Sequence, residues 1–403
     1  MILIDDRSIR DDRSNRCMMQ NFEFYNPTRV LFGKGMIARL DEQLSPEARV
    51  LVLYGGSSAE RSGTLAEVRA ALGRRTFREF GGIEANPTYE TLMKAVAMVR
   101  AEKLDFLLAV GGGSVMDGTK FVAAAVPYEG EAWDILTSKG TAATTALPLG
   151  TVVTLPATGS EMNCLSVISR QSTGDKLLFS NPLVYPRFSV LDPMRTMSLP
   201  MKQVINGVVD SFVHVMEQYM TYPVDGMAQD RFSEGLLSSL VEIGPRIVAT
   251  PDDYDLRSNL MWVATLALNG LIGAGVPHDW STHMIGHEIT AKYHIDHART
   301  LAMVFPALLK VRRGEKRAKL LQYAARVWNL TDGTEDERID AVIRKTEEFF
   351  ENLGVPTRLS AYDIGAQGIT GLVQQLEDHG MTHLGENGDV TLDVSRRILE
   401  AAA

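Results

Sequence analysis

The chain has 403 residues, 45% of them apolar and 23% charged, and a formal net charge of -9. That length can hold two or three domains, and the composition excludes wholesale disorder. The negative charge without a basic stripe excludes a typical nucleic-acid binder, and no apolar run approaches the roughly 20 residues of a membrane helix. Only Cys17 and Cys164 are present, which favours a reducing cytoplasm over a disulfide scaffold.

Residues 1–18 are rich in charge and poor in apolar side chains. They have neither the apolar core nor the cleavage site of a signal peptide. We expect this segment to be a disordered leader outside the fold.

From Thr28 to about Leu191, short β-branched runs alternate with helical patterns. The predicted strands are Arg49–Tyr54, Phe106–Val110, Leu149–Leu155 and Phe188–Leu191, and the predicted helices are Thr64–Leu72, Tyr89–Glu102 and Val115–Ala125. Strands that are apolar on both faces and separated by helices indicate a parallel sheet covered on both sides. We therefore predict an α/β domain over residues 19–195.

The predicted strand Arg49–Tyr54 ends in a glycine-rich turn, Tyr54-Gly55-Gly56-Ser57-Ser58. An acidic residue that would hold a ribose 2′-hydroxyl does not occur here before Glu60. Gly56, Ser58 and the nearby Arg61 leave room and donors for an additional phosphate. The pattern favours NADP over NAD, with an ordinary strand-end turn as the alternative.

A second and longer glycine loop, Gly111-Gly112-Gly113-Ser114, lies between a predicted buried strand and a helix. Backbone N–H groups at such a loop and at a helix N-terminus bind anions, and Ser114 can cap the helix. The spacing differs from the G-x-G-x-x-G fingerprint, so a tight turn without a ligand is the alternative. The position at the carboxyl end of a parallel strand favours a ligand.

After Asp192-Pro193 the strand-like runs give way to long helical patterns. These cover Gln203–Tyr219, Gln229–Ile247, Leu256–Ile272, Lys316–Trp328 and Arg338–Leu353. We predict an all-helical second domain over residues 196–403.

Within that domain, Asp210 and His214 are spaced i, i+4 on a helix that is apolar nearly all round. An internal Asp–His hydrogen bond is the alternative to a metal site. However, five of the eight histidines lie between His278 and His297, and His283 and His287 repeat the i, i+4 spacing. The H-E-x-x-H signature is absent in both registers, which disfavours a metalloprotease. One carboxylate and three imidazoles suit Zn²⁺ or Fe²⁺.

Five ordered motifs resemble the iron-containing (group III) alcohol dehydrogenases, and especially their bacterial NADPH-dependent, butanol dehydrogenase-like aldehyde reductases. The motifs are Gly111-Gly112-Gly113-Ser114-x-x-Asp117, Thr154-Leu155-Pro156-Ala157-Thr158-Gly159-Ser160-Glu161, Asp210-x-x-x-His214, His283-x-x-x-His287 and His297. The likeness extends from about Asn21 to the C-terminus.

The resemblance implies a dehydroquinate-synthase-like fold, with an N-terminal Rossmann-like dinucleotide-binding domain and a C-terminal helical metal-binding domain. It implies hydride transfer between NADP(H) and small aldehydes or alcohols, one Zn²⁺ or Fe²⁺, and a homodimer. The implied metal ligands are Asp210, His214, His283 and His297, with His287 as an additional site residue. The implied cofactor residues are Gly56, Ser58, Asn86, Gly112, Gly113, Ser114, Thr154, Thr158, Asn163 and Lys176.

Two departures from the NADPH-preferring branch weaken the expected NADP preference: Ser57 replaces a glycine, and Glu60-Arg61 replaces a more basic pair. Three alternative functions follow from the same features. A lyase of the dehydroquinate-synthase type would need a Lys and Arg cluster, which Gly273–Ser281 does not provide. A glycerol dehydrogenase-like enzyme would oxidise polyols with NAD, and a regulatory protein would bind NADPH without consuming it.

Overall fold

The structure, a computed structural model, describes residues 18–403, so the predicted leader lies outside the described residues except for Met18. The described chain divides into two compact units. The first contains residues 24–200 and 252–270, and the second contains residues 201–251 and 271–403 together with the few described residues before Phe24. The predicted domains differ from these units chiefly in residues 252–270.

A six-stranded parallel sheet of order β1-β8-β5-β4-β2-β3 organises the first unit. The first unit has eight described strands in all: β1 (Arg29–Phe32), β2 (Arg49–Tyr54), β3 (Thr76–Phe80), β4 (Phe106–Gly111), β5 (Leu149–Val153), β6 (Leu165–Arg170), β7 (Asp175–Ser180) and β8 (Phe188–Leu191). Strands β6 and β7 form a separate antiparallel hairpin.

The central strands are buried on both faces, as their apolar runs predict. Leu107 and Ala109 of β4 pack in one apolar cluster, whereas Leu108 and Val110 pack in the other. Because successive side chains of a strand point to opposite faces, both faces of the sheet are covered.

The helices are α1 (Ser58–Arg61), α2 (Thr64–Leu72), α3 (Tyr89–Glu102), α4 (Gly113–Ala125), α5 (Asp134–Thr137), α6 (Met201–Tyr219), α7 (Met227–Ala249), α8 (Tyr254–Ala267), α9 (Ser281–Tyr293), α10 (His297–Val311), α11 (Arg317–Val327), α12 (Glu335–Asn352), α13 (Ala366–Asp378) and α14 (Leu392–Ala401). Helices α1–α5 and α8 belong to the first unit, and the others form the second. None of the helices in residues 18–403 is both long enough and apolar enough to cross a membrane.

Among the described residues of the second unit, the helices are accompanied by one small hairpin. Its strands are β9 (His383–Leu384) and β10 (Val390–Thr391), which the sequence did not predict. Two residues per strand are too few to produce a recognisable alternation of apolar and polar side chains.

The chain changes direction across the sheet at the pair β2 and β4. From β2 it proceeds to the edge strand β3, and from β4 it proceeds the other way to β5 and β8. In open α/β sheets, ligands bind outside the carboxyl ends of the strands at such a point. Gly55-Gly56 follow β2, and Gly112-Gly113 follow the last residue of β4.

Candidate metal centre and cofactor site

Three helices of the second unit carry the candidate metal ligands. Asp210 and His214 lie on α6, His283 lies in the first turn of α9, and His297 is the first residue of α10. Helix α6 is buried at every position from Val204 to Tyr219, so its i, i+4 pair lies in the core of this unit.

Ligand atoms of Asp210, His283 and His297 lie within 4.8 Å of one another. His214 is beside them: its Nε2 is 3.8 Å from Asp210 Oδ1, and its ring stacks on that of His283 with centroids 4.7 Å apart. His297 Nε2 is also 3.8 Å from Asp210 Oδ1. Tetrahedral coordination with bonds of about 2.1 Å places ligand atoms about 3.4 Å apart, so small side-chain movements would close this set around one ion.

His287 lies next to this group. Its ring centroid is 4.8 Å from that of His297 and 6.3 Å from that of His283. It follows His283 by one helical turn and is partly exposed, whereas His283 is buried. The structure thus brings all five predicted side chains of the metal site together.

Glu217 is a site residue that the sequence analysis missed. It follows Asp210 and His214 on α6 at i+7 and i+3, so the spacing could have placed it on the same face. Its Oε1 is 3.1 Å from His283 Nδ1 and accepts the backbone N–H of His283 at 3.0 Å. Burial, and after it the Asp279 carboxylate, raise the pKa of Glu217.

A buried ion-pair network lies behind Glu217. Lys316 Nζ is 2.7 Å from Asp279 Oδ2 and 3.0 Å from Glu386 Oε1, and it donates to the backbone oxygen of Met220 at 2.7 Å. Burial opposes the charged form of Asp279, but Lys316 and Ser281 together hold the pKa of Asp279 below its ordinary value. The network therefore keeps one ammonium close to the carboxylates around the metal site.

Trp280 packs on the rings of two candidate ligands. Its centroid is 5.2 Å from that of His283 and 6.3 Å from that of His214. The φ of Trp280 is 63°, in the left-handed region that is uncommon for a bulky residue. The indole N–H of Trp280 donates a hydrogen bond to His278 Nδ1 at 3.2 Å. His278 Nε2 then faces the Gly273 carbonyl oxygen at 2.9 Å, and burial lowers the pKa of His278.

The donor set fits a divalent transition metal. One carboxylate with three imidazoles is a ligand set for Zn²⁺ or Fe²⁺, and a ligating histidine usually has its second nitrogen held by a carboxylate or a carbonyl. Glu217 supplies that carboxylate to His283.

The predicted cofactor glycines lie at the carboxyl edge of the sheet in the first unit. Tyr54 of β2 pairs with Val110 of β4, and Gly111 pairs with Val153, so these strand ends are adjacent. A Cβ on Gly113 would lie 2.6 Å from Thr158 Cγ2, and one on Gly112 would lie 3.1 Å from Leu155 Cβ. The loop after β5 therefore leaves no room for a side chain at Gly113 and only a tight fit for one at Gly112.

Ser114 differs from its predicted capping role. Helix α4 begins at Gly113 with Gly112 as its N-cap, so Ser114 is already the second helical residue. Its Oγ instead accepts the backbone N–H of Asn86 at 3.3 Å, and Asn86 Oδ1 accepts a hydrogen bond from Lys176 Nζ at 3.0 Å. The structure thereby brings Asn86, Ser114 and Lys176 together.

The loop between Thr154 and Asn163 is held by a buried lysine that the sequence analysis also missed. Lys120 Nζ donates to Ser160 Oγ at 2.8 Å, to Asn163 Oδ1 at 2.9 Å and to the Leu165 carbonyl at 2.8 Å. The amide of Asn163 donates to the Gly159 carbonyl at 2.9 Å. Asn163 is buried, and its polar atoms hold together the loop that carries Thr158.

At the end of β2, Gly56, Ser57 and Ser58 are exposed. Arg61 donates to Ser57 Oγ. Both carboxylate oxygens of Glu60 accept hydrogen bonds from Arg69, at 3.0 and 2.9 Å. Glu60, the acidic residue of the Glu60-Arg61 pair that departs from the NADPH-preferring branch, is therefore paired with the guanidinium of Arg69.

Two family profiles match the chain in order. The profile of the iron-containing alcohol dehydrogenases matches residues 27–193, and that of the C-terminal part of the Fe-containing alcohol dehydrogenase family matches residues 204–386. The NADPH-dependent aldehyde reductase YqhD of Escherichia coli K12 is 59% identical over 386 residues, which are 95% of this chain and 100% of that protein.

A crystal structure of E. coli K-12 YqhD has a TM-score of 0.94 and covers 96% of this chain and 100% of that one, at 58% identity. The probable NADH-dependent butanol dehydrogenase 1 of Bacillus subtilis is 44% identical over 86% of this chain and 90% of its own length. The predicted dehydroquinate-synthase-like fold, with its parallel sheet and its helical second part, is confirmed. The chain belongs to the iron-containing alcohol dehydrogenase family of oxidoreductases.

Proposed function

We propose that this chain is an NADPH-dependent aldehyde reductase that also oxidises the corresponding small primary alcohols. The observation that carries the proposal is the group of Asp210, His283 and His297, whose ligand atoms lie within 4.8 Å of one another beside His214. Asp210 and His283 are buried, and His297 is partly exposed. The E. coli relative with 59% identity is an NADPH-dependent aldehyde reductase, which supports the same activity here.

In this proposal Asp210, His214, His283 and His297 hold one divalent cation, Zn²⁺ or Fe²⁺. When bound, the cation supplies Lewis-acid polarisation of a carbonyl oxygen, and the nicotinamide supplies the hydride. Because only one of the four proposed ligands is a carboxylate, a bound divalent cation would keep part of its positive charge, which favours an oxygen that gains negative charge during reduction. His287, one helical turn from His283, exchanges the proton with solvent.

The cofactor is held in the first unit. Backbone N–H groups of Gly112, Gly113 and Ser114 at the start of α4 bind the phosphates, because a helix N-terminus carries a partial positive charge. Thr154 and Thr158 position the nicotinamide, and Asn163 keeps their loop in place through Lys120.

The remaining contacts concern the phosphates and ribose. Asn86 and Lys176, which are hydrogen-bonded to each other, lie over the phosphates. Gly56 and Ser58 leave space for the 2′-phosphate, with Arg61 as its cationic neighbour. The Glu60 carboxylate would repel the 2′-phosphate of NADPH, but its pairing with Arg69 offsets that negative charge.

We further propose the domain roles that the sequence indicates: residues 19–195 bind the dinucleotide, and residues 196–403 bind the metal. A cytoplasmic location is proposed from the low cysteine content. The lyase alternative gains no support from Lys316, because its ammonium is already bound by Asp279, Glu386 and a backbone carbonyl.

A homodimer is proposed from the edge of the sheet. Strand β1 is an end strand, and Tyr25, Phe32 and Trp262 near it are exposed although apolar or aromatic. The rings of Phe32 and Trp262 are in edge contact at 5.9 Å. A second copy would cover this edge and these rings. Sedimentation velocity at micromolar concentration should give the mass of two chains, and a single chain would contradict the proposal.

The activity is tested by comparing the wild-type protein with Asp210→Asn and His283→Ala. We expect about one metal ion per wild-type chain by elemental analysis, together with aldehyde-dependent loss of the near-ultraviolet absorbance of NADPH. Both variants should retain the wild-type circular dichroism spectrum, lose the ion and lose at least about 100-fold in kcat/KM. Full turnover by a metal-free His283→Ala protein would overturn the proposal.

A further inference from the structure

We infer that Glu217 is the positioning residue of the metal centre: it fixes the ring of His283 so that Nε2 is the atom presented to the cation. The inference rests on the proposed metal site and adds a residue to it. It is carried by two contacts from His283 to one carboxylate oxygen, at 3.0 Å from the backbone nitrogen and at 3.1 Å from Nδ1.

The first consequence concerns the protonation state of the ring. A neutral imidazole has one N–H and one acceptor nitrogen. With Glu217 Oε1 at Nδ1, the proton is stabilised on Nδ1 and the lone pair is left on Nε2. A carboxylate at the distal nitrogen also makes the ligating nitrogen more basic, which strengthens the bond to a cation.

The second consequence concerns the position of the ring. His283 is the third residue of α9, and the first four N–H groups of a helix have no acceptor within it. Glu217 accepts this N–H, so one side chain of α6 holds both the backbone and the ring of His283. The Glu217 carbonyl additionally accepts the N–H of Asp279 at 2.9 Å, which ties down the segment that leads into α9.

The third consequence concerns charge. The side chain of Glu217 is 2% exposed, and its neighbour Asp279 is itself buried and paired with Lys316. A second buried carboxylate beside this pair is costly unless another positive charge is close. A divalent cation on the opposite nitrogen of His283 provides that charge.

The test compares Glu217→Gln and Glu217→Ala with the wild-type protein. The glutamine keeps an oxygen that can accept both His283 hydrogen bonds but removes the charge, whereas alanine removes both. Glu288→Gln is the matched control: Glu288 is also buried and also contacts a histidine Nδ1, that of His379 at 2.9 Å, but His379 is no metal ligand.

Zn²⁺ affinity is measured by competition with a chromophoric chelator, and the unfolding temperature of each chelator-treated protein is measured in parallel. We expect Glu217→Ala to bind Zn²⁺ about 10-fold to 100-fold more weakly, Glu217→Gln to lie between alanine and wild type, and Glu288→Gln to stay within about twofold of wild type. With ¹⁵N-histidine labelling, the Zn²⁺-loaded wild type should show the His283 proton on Nδ1, and Glu217→Ala should lose that hydrogen-bonded signal.

The glutamine variant keeps the test decisive if the alanine variant does not fold. Because the glutamine keeps both acceptor contacts, its His283 signal should stay close to wild type while its Zn²⁺ affinity falls. Wild-type Zn²⁺ affinity in Glu217→Gln would overturn the inference, as would an equal loss of affinity in Glu288→Gln. These outcomes differ from failure of the metal site itself, in which the wild-type protein would not take up Zn²⁺ stoichiometrically. Lower stability of the chelator-treated protein with unchanged affinity would make Glu217 a helix cap only and would also overturn the inference.

Discussion

Lys120 illustrates what a single buried charge does in the first unit. Its ammonium makes three hydrogen bonds, to Ser160, Asn163 and Leu165, and so joins α4 to the loop that carries Thr158. Asp117, one turn earlier on α4, accepts hydrogen bonds from Ser160 Oγ at 2.6 Å and from the Val167 N–H at 3.0 Å. Burial lowers the pKa of Lys120 to about 8, although Asp117 acts in the opposite direction.

This pKa makes stability depend on pH. Between pH 8 and about 10.4 the unfolded chain keeps the proton on Lys120 while the folded chain loses it. The unfolded state then binds more protons, so the contribution of Lys120 to the free energy of unfolding rises with pH across this window. Below pH 8 both states are protonated, and the cost of burying the charge is fully present.

We predict that Lys120→Met lowers the free energy of unfolding by about 3 kcal/mol at pH 7.5, because Asp117 is left without its cation. The deficit relative to wild type should grow by about 2 kcal/mol at pH 10, since only the wild-type protein gains from deprotonation. Unfolding temperatures of both proteins at the two pH values measure this. A deficit that is constant or smaller at pH 10 would contradict the prediction.

Individual site residues could be predicted where spacing alone brings them together. Asp210 with His214, and His283 with His287, share helix faces by the i, i+4 rule, and the structure places them as expected. Glu217 lies on the same face of α6 at i+7, but its partner His283 lies on a different helix, so the spacing alone did not single out Glu217 among the residues of that face. Lys120 could not be predicted as a site residue for a similar reason, because the sequence of an apolar helix does not indicate which distant loop its single lysine contacts.

At the scale of elements, the ion pairs of Arg69 connect α1, α2 and β3. Arg69 on α2 binds both oxygens of Glu60 on α1 and both oxygens of Glu79 on β3. The hydrogen bond from Arg69 lowers the pKa of Glu79. Glu60 directly precedes Arg61, so Arg69 offsets a negative charge next to the proposed 2′-phosphate position.

We predict that Arg69→Met reduces the preference for NADPH. Its removal leaves the Glu60 charge uncompensated, so the ratio of kcat/KM for NADPH to that for NADH should fall about threefold to tenfold at low salt. The effect should shrink at high ionic strength because these groups are partly exposed. Steady-state kinetics with both cofactors measure the ratio, and the double variant Glu60→Gln/Arg69→Met should restore it. A ratio unchanged by Arg69→Met would show that Glu60 does not affect the phosphate.

The strands that could be predicted from the sequence are those that are buried on both faces. Strands β2, β4 and β5 could be predicted because both of their faces are apolar, whereas β3 is partly exposed along its length and β1 has two exposed residues. The spacing of His283 and His287 indicated a helical segment at α9, but its bounds could not be predicted because its histidines, threonines and single glycine blur the apolar stripe. The hairpin of β6 and β7 was missed since its polar residues do not alternate cleanly.

At the scale of the whole molecule, sequence order was an incomplete guide to the units. Helix α8 was predicted within the helical domain, but it belongs to the first unit, where Thr265 donates to the buried carboxylate of Glu161 at 2.5 Å. Its helical period is the same in either location, so the local pattern could not decide between them. The contact is between residues more than one hundred positions apart, which only the folded chain shows.

The central claim is that one cation is held by a carboxylate and three imidazoles from α6, α9 and α10. It is tested most directly by anomalous diffraction at the zinc edge from crystals of the Zn²⁺-loaded protein. We predict a single strong peak about 2.0–2.2 Å from atoms of Asp210, His214, His283 and His297. A peak at another place, or one that leaves two of these side chains beyond bonding distance, would contradict the account.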